Sequence, residues 1–446
     1  MFLSLACDTR ISRRNVCHAF ILSNVKKPGH APRMKKPYLS IIIPVLNLWH
    51  FTADCLKSLK ANTPGSFYEV LVVDNGSSDS TPSECPHLGK QLFDERFTYI
   101  RLEENIHFGP ACNLGASKAA GEILFFLNND TLLTKNWFSP LFDLFRYDVT
   151  VMAASPLCLF PDDGRIQHMG IGYTGTLGVR HPYFLFPGDH VVTQKNRKFQ
   201  ALSAATLMVP ATVFKKLEGF FPEYANGFED MDLCCRMRRA GGRLVQENRS
   251  KVYHWSSKTP GRNRFDSENM KLLNARCVGC FKPDFHRIVY DDGFICTLTP
   301  WLEMVMREEN ETLFKTLDTL TTEDEIRSAL ESYPLWENGY DVLAAMLQAQ
   351  HRLEEAAQTI FYGAVFFPNI KRFQRLKSLA EITHNEAWIT QAERRLEGIM
   401  NALSSPDQLY AQAEYILRWS QDNNDRILQT LYQEWINAHR HTQKRV

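Results

Sequence analysis

The sequence predicts an α/β protein: a mixed, mainly parallel sheet with helices on both faces, followed by an all-α C-terminal domain. Three observations carry that prediction. Between residue 38 and about residue 285, short apolar runs alternate with stretches of helical spacing. Each apolar run ends on polar or turn-forming residues. Of 21 prolines and 23 glycines, only Pro334, Pro368, Pro406, Gly339, Gly363 and Gly398 follow residue 300, which leaves that half nearly free of helix breakers.

In order, "YLSIIIPVLN" (38–47) reads as a buried strand ended by Pro44 and Asn47, and "TADCLKSLKAN" (52–62) has the helical spacing of Cys55, Leu56 and Leu59. "YEVLVVDNGSSD" (68–79) is a strand entering a turn, and "FTYIRL" (97–102) is a strand. "GPACNLGASKAAG" (109–121) reads as a helix closed by Gly121. It leads into "GEILFFLNND" (121–130), where Ile123 to Leu127 have the length of a strand buried on both faces. Ligands of open α/β sheets sit beyond the carboxyl ends of such strands, so Asn128, Asn129 and Asp130 stand where chemistry is expected. An ordinary Asn/Asp turn is the competing reading. In the C-terminal half, "YP" at 333–334 and "FP" at 367–368 are spaced at the period of a tetratricopeptide repeat, with Leu343, Ala344, Leu347, Ala356, Ile360 and Gly363 as helix-pair contacts. A plain helical bundle fits the same residues. The expected domains are an N-terminal extension at 1–37, an α/β domain at 38–290 and a helical domain at 300–446.

The apolar share of 44% and charged share of 23% are those of an ordinary globular chain, and a net charge of +1 gives no reason to expect nucleic acid as a partner. Eleven cysteines without a repeating framework argue for reduced thiols in a cytosol-like compartment. "CVGC" (277–280) lacks the second pair of a zinc ribbon and reads as buried cysteine. No run reaches the roughly 18 apolar residues of a membrane span. The basic first 37 residues fit a signal peptide poorly, because "FLSLAC" has no basic residue before it. Met34, just ahead of the first strand, is an alternative start.

Five polar clusters stand where chemistry could occur. Asp74 ends a strand in "VVDNGSSDST" (72–81) and could accept from a base or ribose. Gly109 and Pro110 in "ENIHFGPACNLG" (104–115) open a helix whose free N–H groups suit phosphate. Asp130 of "NND" is a hard oxygen ligand for a divalent cation. "NGFEDMDLCCRMRRAGG" (226–242) places Glu229, Asp230 and Asp232 in a helix's first turn and Arg236, Arg238 and Arg239 in its last, as the helix dipole favours, yet the loop before it could tune an acid as a base. His254 in "VYHWSSKT" (252–259) follows a short apolar strand and could complete a metal site or be a satisfied surface histidine.

Taken in order, "SIIIPVLN", "VVDNGSSDST", "NIHFGPACNLG", "FFLNND", "FEDMDLCCR" and "YHWSSKT" resemble the family 2 glycosyltransferases, and within them the nonprocessive, rhamnosyltransferase-like members. The resemblance covers about residues 38–260. It implies a GT-A fold and an inverting, metal-dependent hexosyltransferase acting in surface polysaccharide or glycoconjugate assembly. It further implies that Pro44 and Asn47 line the nucleotide pocket, that Asp74 binds the base or ribose, and that Asn105, Gly109 and Asn113 sit against nucleotide or sugar. Asn128 and Asp130 then stand for the family's Asp-x-Asp, with Asp130 and His254 as ligands of Mg2+ or Mn2+. Asp230 matches the catalytic base, with Glu229 as its neighbour. The implied donor is a UDP- or dTDP-sugar, and the acceptor a glycan, a lipid-linked saccharide or a protein.

The departure from the pattern is Asn128, where many members carry Asp. It is the support for the rival reading, a GT-A fold without turnover that serves as a nucleotide-sugar-binding scaffold. A nicotinamide dehydrogenase needs G-x-G-x-x-G after the first strand, which here ends in "PVLNLWH". The expected location is cytoplasmic, with peripheral contact at the inner membrane face. The C-terminal helices are expected to dock on the catalytic domain or on a protein partner, and Lys371, Arg372, Phe373 and Arg375 are candidates for touching acceptor or membrane, or simply a solvated helix face.

Overall fold

Apolar β-branched and aromatic runs become the central strands of a computed structural model that describes residues 37–255 and 262–440. The N-terminal extension, Met34 included, and the "SSKT" after Trp255 lie outside the described residues. Strands β1 (Leu39–Val45), β2 (Tyr68–Asp74), β3 (Phe97–Arg101) and β4 (Ile123–Leu127) pair in parallel, β1 lying between β2 and β4. Every residue of β1 and β4 is buried, which is why β4 reads as an unbroken apolar run and β1 as one broken by Ser40 alone. Helices α1 (Trp49–Asn62), α2 (Thr81–Phe93) and α3 (Phe108–Lys118) make the crossovers. The second of these was hidden in the sequence by Pro82, Pro86 and Gly89. Pro82 sits in the first turn, where its missing N–H costs nothing, and Thr81, Cys85, Gly89 and Phe93 bury one face. Helix α3 stops at Lys118, before the expected Gly121. Gly121 instead crosses β1 so closely that a Cβ would come within 2.6 Å of the Ser40 nitrogen.

The sheet changes polarity beyond β4. Strands β5 (Thr131–Leu133), β6 (Val151–Leu159), β7 (Ile166–His168), β8 (Gly172–Tyr173), β9 (Val179–Arg180), β10 (Arg197–Lys198), β11 (Thr206–Pro210) and β12 (Arg243–His254) follow, with helices α4 (Phe138–Tyr147), α5 (Ala211–Lys216), α6 (Glu229–Arg239) and α7 (Asp266–Arg276). The main sheet runs β10-β12-β6-β11-β4-β1-β2-β3, with β5 on β12 and β7 on β6. Strand β11 is antiparallel to β4 and β6, whereas β12 is parallel to β6. His254 therefore ends a 12-residue strand rather than the short apolar one expected. Buried Gln246, Glu247 and Asn248 break its apolar pattern. Glu247 is tolerated there because Arg249 (2.8 Å) and Asn196 (2.5 Å) bind its carboxylate.

After α8 (Phe285–Tyr290) and the hairpin β13 (Ile295–Leu298)–β14 (Met304–Arg307), the described chain is helical: α9 (Glu311–Leu317), α10 (Glu323–Ser332), α11 (Glu337–Ala349), α12 (Leu353–Phe366), α13 (Ile370–Ile382), α14 (Glu386–Leu403), α15 (Pro406–Asp422) and α16 (Arg426–His439). These helices share one apolar cluster with Leu157, Leu159 and Ile166 of the sheet. Trp435 Nε1 donates to the Thr299 carbonyl (2.8 Å), and His286 meets Asp425 (2.9 Å). The turns at His351, His384 and Asn424 take the same left-handed conformation, each just before a new helix. "YP" and "FP" fall in the turns before α11 and α13. Arg372 and Phe373 are not a solvated face. Both are buried, and Arg372 is bound by Glu337 (2.8 Å), Asp341 (2.5 Å) and the Phe367 carbonyl (2.9 Å), so they hold helices together instead of touching acceptor or membrane. Among the described residues the cysteines are free thiols, and no helix is long and apolar enough to cross a membrane.

The seat of α3 on the sheet is testable at Gly115, where a Cβ would come 2.5 Å from Ile42 Cγ2 and 3.1 Å from Val73 Cγ2. Gly115→Val is expected to lower unfolding stability by roughly 1–3 kcal/mol through overpacking. Urea titration reads the loss, and an unchanged midpoint would place α3 elsewhere.

Candidate active site

The end of β4 is fixed from several directions before its side chains are considered. Asn128 N–H donates to the Ala205 carbonyl (2.8 Å), Thr131 Oγ1 to the Asn128 carbonyl (2.7 Å), and Asn129 Nδ2 to Thr52 Oγ1 (2.9 Å). Beneath them lies Cys55, whose thiol burial pushes up to about 12, so it stays an S–H and not a nucleophile. Strand β5 then pairs Thr131 with His254 on β12. That register sets Asp130 beside the histidine, with Oδ1 3.1 Å from Nε2 and both residues only 8% exposed.

A residue the sequence reading missed decides the chemistry of this pair. Gln167 donates from Nε2 to the His254 carbonyl (2.6 Å), and its Oε1 lies 2.6 Å from His254 Nδ1. An amide oxygen accepts, so a proton is assigned to Nδ1, and Nε2 is the nitrogen turned to the cleft. Nε2 faces Asp130 Oδ1 and, at 3.3 Å, Asn128 Nδ2. A lone pair and a carboxylate this close repel unless positive charge, a proton or a cation, lies between them. One imidazole nitrogen and one carboxylate suit Mg2+ or Mn2+, which commonly complete their shells with phosphate oxygens and water. Among the described residues no group of three or more His, Cys, Asp or Glu is arranged to hold a metal alone.

Helix α6 supplies the second corner. Phe228 enters it in left-handed backbone, and the Glu229 carboxylate accepts from Gly227 N–H (2.6 Å) while only 5% exposed. Asp230 lines the cleft, and its Oδ2 accepts from Ala204 N–H (3.0 Å). Asp232 plays a different part. Arg236 and Arg276, each at 2.7 Å, pin its buried carboxylate and tie α6 to α7. Residues 203–205 link the corners, since Ala204 orients Asp230 and Ala205 holds Asn128.

The nucleotide-side candidates divide. Pro44 and Asn105 line a cleft of about 830 Å³ together with Asn128, Asp130, Glu229, Asp230 and His254. Asn105 Oδ1 accepts from Asn75 Nδ2 and His107 N–H, both at 2.9 Å. Four others are not among the residues that line the cleft. Asn47, in left-handed backbone, accepts from Ser78 N–H (2.7 Å). Asp74 has no exposed side-chain surface; it takes hydrogen bonds from Ser77 N–H (2.8 Å), Arg101 (2.6 Å) and the Tyr99 hydroxyl, so its carboxylate is already engaged. Burial and this carboxylate push the Tyr99 hydroxyl pKa up, which keeps it a donor. Asn113 binds the Phe220 backbone through Oδ1 (2.9 Å) and Nδ2 (2.7 Å). Gly109 gives room, since a Cβ would approach Phe220 Cβ to 3.2 Å.

The wall over β6 and β7 was also missed. Phe160, Gln167, His168, Ile171, Val179, His181 and Phe184 line it. Burial, with His181 and His254 nearby, drives the His168 pKa well below its ordinary value. The signal in sequence was only "IQHMG" (166–170), a lone histidine after a glutamine.

Parts of this chain are similar to known proteins. Residues 40–200 match the sequence model described as glycosyl transferase family 2. The chain is 29% identical over 240 residues to protein y4gI of Sinorhizobium fredii, covering 52% of this chain and 26% of that one. It is 29% identical over 229 residues to the O-antigen biosynthesis protein RfbC of Myxococcus xanthus, covering 50% of this chain and 17% of that one. The match thus spans about a quarter or less of these relatives' length. Among solved structures, GalNAc-T7 with UDP, GalNAc and Mn2+ is similar at a TM-score of 0.43 and 19% identity, over 49% of this chain and 44% of that one. With the mixed sheet and the ordered motifs already described, the family match establishes that this chain carries a glycosyl transferase family 2 domain on a GT-A-like sheet.

Proposed function

We propose that the cleft transfers a sugar from a nucleoside diphosphate to an acceptor hydroxyl with inversion at the anomeric carbon. One observation carries this reading: the Asp130–His254 pair, with Nε2 aimed at a carboxylate oxygen, shares a cleft with Asp230. Asp130 and His254 would hold a divalent cation, which when bound supplies Lewis acidity to a departing diphosphate. Asn128 Nδ2, 3.3 Å from Nε2, stands at the same corner. Asp230, aligned by Ala204 N–H, takes the proton of the acceptor hydroxyl as it attacks the face opposite the leaving group. A single displacement of that kind inverts configuration. Glu229 is the buried neighbour that fixes the turn before α6. Pro44 and Asn105 frame the nucleoside of a UDP- or dTDP-sugar, while Asn47, Asp74, Gly109 and Asn113 shape that end from behind.

The acceptor is a glycan, a lipid-linked saccharide or a protein hydroxyl in surface polysaccharide or glycoconjugate assembly, a reading supported by the O-antigen role in the name of RfbC. The location that suits this is the cytoplasmic side, at the membrane face. Residues 38–290 form the catalytic domain in this reading and 300–446 a helical one. The repeated turns at His351, His384 and Asn424 support a tetratricopeptide-like array for a protein partner.

Two measurements test the site. In calorimetry of a panel of nucleoside diphosphates with and without Mn2+, one nucleotide is expected to bind in a metal-dependent way, and Asp130→Ala to weaken it by at least about 100-fold. If no nucleotide binds the unaltered chain, the donor site is wrong. Asp230→Asn is expected to slow sugar transfer by roughly 10²–10⁴-fold while nucleotide affinity stays within about twofold. Loss of nucleotide binding in that variant would make Asp230 a donor-site residue and not the base.

A further inference from the structure

We propose that His168 is a saccharide-recognition residue, its Nε2–H donating to a ring hydroxyl of a sugar seated against the wall over β6 and β7. The inference rests on the sugar-transfer reading and adds a residue to it. His168 ends β7, where it pairs with Cys158 of β6. Its Nδ1 accepts from Gly170 N–H (3.2 Å), an aim set by the left-handed backbone of Gly170 (φ 93). With Nδ1 accepting, the proton of the neutral ring lies on Nε2. That donor is buried and has no hydrogen-bond partner in the described structure, although the residue, only 8% exposed, lines the cleft. A buried donor is costly to leave unmet, and an apolar residue of similar size would fill the wall without that cost.

The surroundings select the ligand. The His181 ring lies 4.6 Å from that of His168, and Phe160 and Phe184 meet edge to face at 5.8 Å. Aromatic edges and faces suit the C–H surface of a sugar ring, and a single aimed N–H suits one of its hydroxyls. The sheet order gives the position. Strands β11 and β4 separate β6 from β1 and β2, whose ends frame the nucleoside, and Asp130 at the end of β4 lies between. The wall is therefore on the sugar side of the cation corner and not the nucleoside side. The hydroxyl belongs either to the transferred sugar or to the accepting one.

Calorimetry of the full chain with Mn2+ separates these cases, comparing UDP, dTDP and GDP with their hexose conjugates in the unaltered protein, His168→Phe and His168→Asn. If the transferred sugar is bound, His168→Phe weakens the nucleotide sugar relative to its nucleotide by roughly three- to tenfold. If the accepting sugar is bound, those affinities hold, and fluorescently labelled protein with nucleotide and Mn2+ loses binding to a monosaccharide or disaccharide on a printed array. In either case His168→Asn, which keeps an N–H, restores part of the binding. His168→Phe removes the unmet donor but also the acceptor of Gly170 N–H, so its melting midpoint is expected to shift by no more than about 4 °C. No change in either arm overturns the proposal, as does a fall in the melting midpoint with nucleotide and nucleotide-sugar affinities falling together. If the unaltered chain binds no nucleotide, the sugar-transfer reading fails and this residue's role with it. If it binds nucleotide sugars and His168→Phe is indistinguishable in both arms, only the role of His168 fails.

Discussion

The antiparallel pairing of Thr131 on β5 with His254 on β12 is the constraint on which the cleft depends. Asp130 and His254 are far apart in sequence, and neither backbone could choose the other without a ladder between them. Strand β12 is itself fixed along its length by β6, and β6 by β11, which is held in turn by β4. The strand that ends near Asp130 thus also anchors, three strands on, the strand that carries His254. A one-residue slip of β12 would turn His254 to the opposite face and remove the site without unfolding the sheet.

Gln167 then converts proximity into chemistry. Its two bonds to His254, one to the ring and one to the carbonyl, orient the imidazole and turn Nε2 toward Asp130. Asp230 and Asp232 show the same logic on α6. They are two residues apart on one helix, yet Asp232 is closed by two arginines and Asp230 opens on the cleft with a backbone N–H behind it. Identity and spacing do not distinguish these acids; their partners do.

The legible parts of the chain were those whose signal is local. Strands β1, β2 and β4 announced themselves because burial on both faces demands continuous apolar sequence, and Asn128 to Asp130 were legible as their polar end. Helix α2 was not, because Pro86 and Gly89 outweigh a face that exists only once β3 lies beneath it. The length of β12 was obscured by Glu247, whose charge is matched by Arg249 and whose carboxylate also accepts from Asn196, just before β10. Asp74 and Asn113 drew attention as polar residues in the right motifs, but Arg101, Tyr99 and the Phe220 backbone already occupy them. Arg372 resembled a surface charge until Glu337 and Asp341, from another helix, were brought to it. The wall of Phe160, His168, His181 and Phe184 has no motif at all, since its members meet only through the β6–β7 pairing and the loop that follows.

Pulsed electron paramagnetic resonance of Mn2+ bound with UDP or dTDP, on protein carrying 15N-labelled histidine, tests the central claim most directly. The account predicts a single directly coordinated imidazole nitrogen, lost in His254→Ala and kept in His168→Phe. Bound Mn2+ without any imidazole coupling, or with a coupling that survives His254→Ala, would contradict it.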